Sequence, residues 1–230
     1  MTTENTSLLS SLDQLIARHH LLQHPFYQAW SEGTLPAETL ALYAEQYYQQ
    51  VRAFPKNLIR LAGRCDGILE DLVVENLNEE LDPAGPHPQL WRQFANAVGA
   101  DDARLDAVQP LPGFAELLTA FRDISERGTL AQAVAGFYAY EAQVPEISGE
   151  KISGLKKFYG INQPEALAYF AVHQEADIRH REAWRTYLAR ETTGENDAEI
   201  LAAAERILKA LWGALDAVYP QGCECMAGKN

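Results

Sequence analysis

Apolar residues recur along this chain at three- and four-residue steps. Leu8, Leu12, Leu15 and Ile16 make one stripe, and Leu40, Tyr43, Tyr47, Val51 and Phe54 make a second. That spacing lines up one face of an α-helix. Leu35-Pro36-Ala37-Glu38 supplies a start for the second helix, with proline in the first turn and an acid near the positive end of the helix dipole. Pro55 predicts a kink or an interruption in that helix. A shorter helix is expected over 67–81, closed by the turn Asp82-Pro83-Ala84-Gly85-Pro86, and another opens near His87. Further helices are expected over roughly 113–126, 128–144, 146–158, 164–190 and 195–217. No alternating run long enough for a strand, no Gly/Ser-rich linker and no internal repeat interrupts this pattern. The expectation is one all-α domain over 1–230 with roughly seven to nine helices and a mobile tail from about 219 onward.

Composition narrows the function classes. Lys and Arg total 19 against 32 Asp and Glu, a formal net charge of −13, which argues against nucleic acid and against an anionic membrane as partners. No basic start leads into an apolar run at the N-terminus, and no segment approaches the ~18 apolar residues that a membrane span requires. The three cysteines, Cys65, Cys223 and Cys225, are no disulfide framework. Reduced thiols in the cytoplasm are the expectation. Cys223-Glu224-Cys225 is read as part of the mobile tail, ahead of an adventitious metal site.

The residues that carry chemistry begin in the segment from His173 to His180. At ~100° per residue, His173, Asp177 and His180 fall within about 60° of one another, on a single stripe two turns long. Two imidazoles and a carboxylate in that register suit a first-row transition metal; a solvated face carrying two histidines by chance is the bland alternative. Upstream, Glu141 is the only charge between Leu130 and Val144, among small and aromatic residues. A lone buried carboxylate is costly unless it is paired or bound to metal, so the choice lies between an arginine partner and an ion. In the third segment, Glu80 lies near the end of one helix and His87 opens the next, across the proline-rich turn. Together Glu80, His87, Glu141, His173, Asp177 and His180 make three carboxylates and three imidazoles, a set that two transition-metal ions require.

The pattern Glu-x6-His, then Glu, then His-x3-Asp-x2-His resembles the heme-oxygenase-like dimetal oxidases. His24-Pro25-Phe26-Tyr27-Gln28-Ala29-Trp30, followed by Gly33-Thr34-Leu35-Pro36, is similar to the opening of the wider thiaminase II and pyrroloquinoline-quinone synthase superfamily. Tyr43 to Tyr48 and Val51 to Pro55 look most like the branch that contains the chlamydial protein associating with death domains. The resemblance implies a heme-oxygenase-like seven-helix bundle holding two transition-metal ions, Fe/Fe or Fe/Mn, that use molecular oxygen and an external reductant of unknown identity. It implies synthesis of 4-aminobenzoate, a folate precursor, from one of the enzyme's own tyrosines, with a lysine giving the amino group. By position the tyrosine is Tyr27 and the lysine Lys151, with Tyr43, Tyr140 and Tyr169 near the site. No residue motif carries over death-domain binding, and a homodimer stays open.

The residues alone leave plainer readings. Tyr27 fits a packed core aromatic, and Ser148-Gly149-Glu150-Lys151-Ile152 fits a surface turn. Three other functions compete: a thiaminase-II-like hydrolase, which needs a pocket cysteine that the Glu141 and His173 segments lack; a cofactor-free ring oxidase, which has no use for six metal-type ligands; and a non-catalytic helical interaction protein.

Overall fold

The longest helix of the protein, α10 (Pro164–Glu191), carries His173, Asp177 and His180, and the other helices are best understood by how they surround it. A computed structural model describes residues 6–219. In chain order come α1 (Thr6–Arg18), a 3-10 turn (Leu21–Gln23), α2 (Pro25–Glu32), α3 (Ala37–Ala62), α4 (Gly67–Glu80), α5 (His87–Ala97), α6 (Asp102–Ala107), α7 (Pro112–Glu126), α8 (Leu130–Glu141), α9 (Val144–Phe158), α10 and α11 (Asp197–Val218). The described residues contain no strand, and none of their helices is long and apolar enough to cross a membrane. The tail expected from about 219, with Cys223 and Cys225, lies beyond Tyr219 and so outside the described residues.

α10 packs on α9, α5 and α8, while α11 packs on α7 and α8, and α3 joins α7, α4 and α5. α8 is therefore enclosed: every residue from Ala133 to Glu141 is buried, as the absence of any charge but Glu141 foretells. Its start is fixed by a capping box in which Thr129 and Gln132 satisfy each other's backbone amides. Glycine allows the closest approach of two helices. A Cβ on Gly113 of α7 would lie 2.1 Å from the Gly213 carbonyl of α11. At Gly33, with φ of +72°, α2 ends in the left-handed conformation and the Phe158 ring occupies the place of a Cβ.

One expectation is narrowed and one corrected. Of the two outcomes expected at Pro55, the interruption does not occur: α3 runs continuously from Ala37 to Ala62 with the proline inside it. An interior proline costs a helix about 3 kcal/mol, and the burial of Phe54, Leu58 and Leu61 on either side of it outweighs that cost. The helix count is also low, because α2 and α6, of eight and six residues, are too short to show a period.

α2 is anchored by a histidine. The backbone N–H of Phe26 donates to His24 Nδ1 at 3.0 Å, so the ring proton sits on Nε2, which donates to Asp216 at 3.1 Å. This cap, with the His24 ring edge-on to Trp212, ties the helix that carries Tyr27 to the end of α11.

Candidate metal centre

Four helices deliver six buried ligand-type side chains to two trios. Glu80 is the last residue of α4 and His87 the first of α5. With His173 they form one trio, whose ligand atoms lie within 4.8 Å of one another. Glu141, the last residue of α8, forms the second trio with Asp177 and His180, within the same limit. The proline-rich turn folds α5 back beside α4: Asp82 Oδ1 accepts from the Ala84 amide at 2.9 Å, and the Gly85 amide bonds the Asp82 carbonyl at 3.0 Å.

These groups fit cations better than they fit one another. His87 Nδ1 and Glu80 Oε1 are 3.0 Å apart, yet that nitrogen has no hydrogen-bond partner. Two ligands at right angles on one ion, with bonds of about 2.1 Å, stand about 3.0 Å apart. Asp177 Oδ2 and His180 Nε2 are likewise buried without a hydrogen-bond partner. His173 Nδ1 lies 2.6 Å from the Tyr169 carbonyl. Since a carbonyl only accepts, the proton is on Nδ1, and the Nε2 lone pair is left facing Glu80, 4.0 Å away. That is the arrangement a metal-binding histidine adopts. Glu80 and Glu141 both stand at helix C-termini, where the dipole disfavours an anion and favours a cation.

The electrostatics agree. No arginine or lysine pairs with Glu141 among the described residues. Its Oε1 accepts from Asn76 Nδ2 at 2.9 Å and its Oε2 from Trp184 Nε1, which rules out the arginine-partner alternative. Burial pushes Glu141 up to about 8. Burial, and then Glu80, hold Asp177 well above the usual carboxylate range. A bound divalent ion is what allows such groups to ionise. Two buried clusters of this composition fit a two-metal site.

Beside the trios lies an aromatic chamber around a lysine. Lys151 is buried in α9, not in a surface turn. Its Nζ donates to the Tyr43 hydroxyl at 2.7 Å and stands 5.6 Å from the centre of the Tyr27 ring. The Tyr27 and Tyr43 hydroxyls are 3.5 Å apart. Tyr140 shares a 2.8 Å hydrogen bond with Tyr47, and the Tyr169 ring packs on His173 with centroids 4.2 Å apart. Burial pulls Lys151 down to about 7 and pushes Tyr27 far above the usual phenol value. The cavity that Tyr27, Lys151, Tyr140 and Tyr169 share has about 30 Å³ of free space. A larger groove of about 540 Å³ lies between Ile68 and Tyr187; neither space is lined by any of the six ligands, but Tyr169 of the smaller one packs directly on His173.

Asn76, Glu79, Trp184 and Tyr47 belong to this centre although the motifs do not include them as functional groups. Asn76 stands one turn before Glu80, and Tyr47 one turn after Tyr43, so helical spacing alone puts each on the same face as a candidate.

A family described as iron-containing redox enzymes matches residues 41–212, and the chain belongs to that family. It is 41% identical over 223 residues to a 4-aminobenzoate synthase of Nitrosomonas europaea, covering 92% of this chain and 91% of that protein. It is 36% identical to the 4-aminobenzoate synthase of Chlamydia trachomatis, covering 95% and 96%. A crystal structure from Shewanella denitrificans, of a domain with a heme oxygenase-like fold, superposes with a TM-score of 0.77 at 19% identity over 93% of this chain and 91% of that one. The fold is thus heme-oxygenase-like.

Proposed function

We propose that this chain synthesises 4-aminobenzoate from its own Tyr27 side chain, with the amino group drawn from Lys151. Glu80, His87 and His173 would hold one transition-metal ion and Glu141, Asp177 and His180 the other, as Fe/Fe or Fe/Mn. Two such ions supply, when bound, the redox chemistry that turns dioxygen and electrons from an external reductant into an oxidant.

The observation that carries the internal-substrate reading is the cavity. About 30 Å³ of free space is room for about two water molecules, whereas pockets that take an external organic ligand hold about 300–1,000 Å³. The aromatic ring in that space is the protein's own. Holding Tyr27 by the His24 cap and by burial removes the need to capture and orient a diffusing substrate. The side chain also has the right skeleton: a six-membered ring whose Cβ becomes the carboxylate when dioxygen-driven oxidation breaks the Cα–Cβ bond, and a phenol oxygen that leaves as water when Nζ takes its place, the Cε–Nζ bond of Lys151 then breaking to leave its carbon as an aldehyde.

Lys151 suits the donor role because its burial favours the neutral amine, with a free lone pair, near neutral pH. Tyr43 bridges donor and acceptor. Its hydroxyl accepts from Lys151 Nζ and faces the Tyr27 hydroxyl, a short path along which a proton moves between the two. Two curated relatives of this chain carry the name 4-aminobenzoate synthase, which supports the product. A thiaminase-II-like hydrolase is not favoured, because Cys65, the cysteine among the described residues, bonds the Ala62 carbonyl at the α3–α4 junction and lines neither the cavity around Lys151 nor either trio.

The test is reconstitution. Metal-free protein is loaded with Fe²⁺, alone or with Mn²⁺, then given reductant and air, and 4-aminobenzoate is sought by chromatography with mass detection. Its appearance without any added aromatic compound is expected. Protein that binds two ions, consumes oxygen and yields none overturns the proposal.

A further inference from the structure

One more carboxylate faces the centre from outside. Glu79 precedes Glu80 in the last turn of α4. Its Oε1 accepts from the Arg179 guanidinium at 2.7 Å, and its Oε2 stands 3.4 Å from His180 Nε2. That nitrogen belongs to a side chain only 9% exposed and has no hydrogen-bond partner. The Glu79 side chain is itself 29% exposed, so it reaches both water and the second trio.

Glu79 also ends a row. Asp71, Glu75 and Glu79 follow each other at four-residue spacing, which stacks them on one face of α4 in steps of about 6 Å. With Asp82 they line an open groove of about 430 Å³. Neither Asp71 nor Glu75 forms an ion pair among the described residues. α4 carries no basic residue in its own last turn, so Arg179 of α10, which pairs with Glu79 and also feels the charge of Glu75, is the cation that offsets part of the row, while the helix C-terminus adds to the negative potential. A row of acids on a helix is usually a solvated face; this one ends 3.4 Å from a buried imidazole nitrogen that has no hydrogen-bond partner.

We propose that Asp71, Glu75 and Glu79 are the intake track for hydrated divalent metal ions, and that Glu79 is the portal ligand that passes an ion to His180. The inference rests on the two-metal reading of the inner trios. The carboxylates gather cations from solution, as a cleft lined by one sign of charge does. Carboxylate oxygens suit an ion that still holds part of its water shell. Arg179 occupies Glu79 while no ion is present, and an arriving ion competes with the guanidinium for the same carboxylate. His180 Nε2 then offers the first nitrogen ligand, beyond which lie Asp177 and Glu141.

The test follows uptake of Co²⁺ by the metal-free full-length protein through its visible absorbance in a stopped-flow instrument. Wild type fills two sites, and its initial rate falls as ionic strength rises. Glu79→Gln fills the same two sites at least about tenfold more slowly. The double variant Asp71→Asn, Glu75→Gln is slowed too, and loses most of the salt dependence. Arg179→Gln, which unties Glu79, is faster than wild type. A wild-type initial rate for Glu79→Gln overturns the inference. So does a Glu79→Gln protein that stops at one ion, since Glu79 would then be a resident ligand and not a portal. If wild type itself takes up no Co²⁺, the two-metal reading fails, a result distinct from either.

Discussion

Lys151 Nζ donates a 2.7 Å hydrogen bond to the Tyr43 hydroxyl, and the groups facing it are the aromatic rings of Tyr27, Tyr43, Tyr47, Trp91 and Phe170. Burial lowers its pKa from 10.5 to about 7. Between those values the unfolded chain binds a proton that the folded chain does not, so this group makes stability rise with pH over that window, by at most about 1.4 kcal/mol per pH unit. Lys151→Met removes the effect. In metal-free protein the melting temperature of Lys151→Met relative to wild type should be highest near pH 7 and decline steadily toward pH 10. A difference that stays constant with pH would show that the amine keeps its ordinary pKa.

The second trio has one imidazole, and no other imidazole among the described residues belongs to it. His180→Ala should therefore reduce bound metal from two ions to about one, since the trio of Glu80, His87 and His173 loses nothing. Elemental analysis of the purified variant measures this. Two ions per chain would contradict the assignment.

Trp184 acts on that trio through Glu141. Trp184→Phe keeps a buried aromatic against Phe137 and deletes only the N–H that Glu141 Oε2 accepts. Loss of such a supporting donor typically weakens metal binding about 10–100-fold. Chelator competition should register that loss for one ion and leave the other at its wild-type affinity. An unchanged affinity for both would make Trp184 a packing residue.

Gly113 tests the fold itself. Alanine there would press a Cβ against the Gly213 carbonyl, and backbone on both sides leaves little to yield. Overpacking of this kind costs about 1–3 kcal/mol, which for a chain of this length lowers Tm by about 3 °C or more. Thermal unfolding followed by circular dichroism checks it, and an unchanged Tm would mean that α7 and α11 separate without cost.

Helical period explains why much of this was legible in the sequence. It fixes the azimuth of each side chain, so the stripe of His173, Asp177 and His180 and the solitary charge of Glu141 could be read before any packing was known. The division into two trios could not, because it depends on how the Asp82–Pro86 turn sets α5 against α4, which is tertiary. Lys151 was hidden by its neighbours: Glu150, Lys156 and Lys157 are exposed and make α9 look like surface. A signal was present, since Ile147, Lys151 and Leu155 repeat at four-residue steps and share the buried face. Asn76 shares a helix face with Glu80 by spacing, but its bond to Glu141 and the approach of Glu79 to His180 are contacts that only the folded chain supplies. Pro55 alone could not decide whether its helix breaks, because local propensity says nothing of the packing on either side of it.

The central claim, that Tyr27 is consumed, is tested most directly by isotope. Protein expressed with ring-labelled tyrosine is purified, loaded with iron or with iron and manganese, and exposed to reductant and oxygen. The expected result is 4-aminobenzoate carrying the ring label at no more than one molecule per chain, a matching mass loss in the intact protein confined to residues 27 and 151, and no product from Tyr27→Phe, which keeps fold and metals. Unlabelled 4-aminobenzoate, or many molecules of it from each chain, would contradict self-consumption and assign the ring to an external substrate.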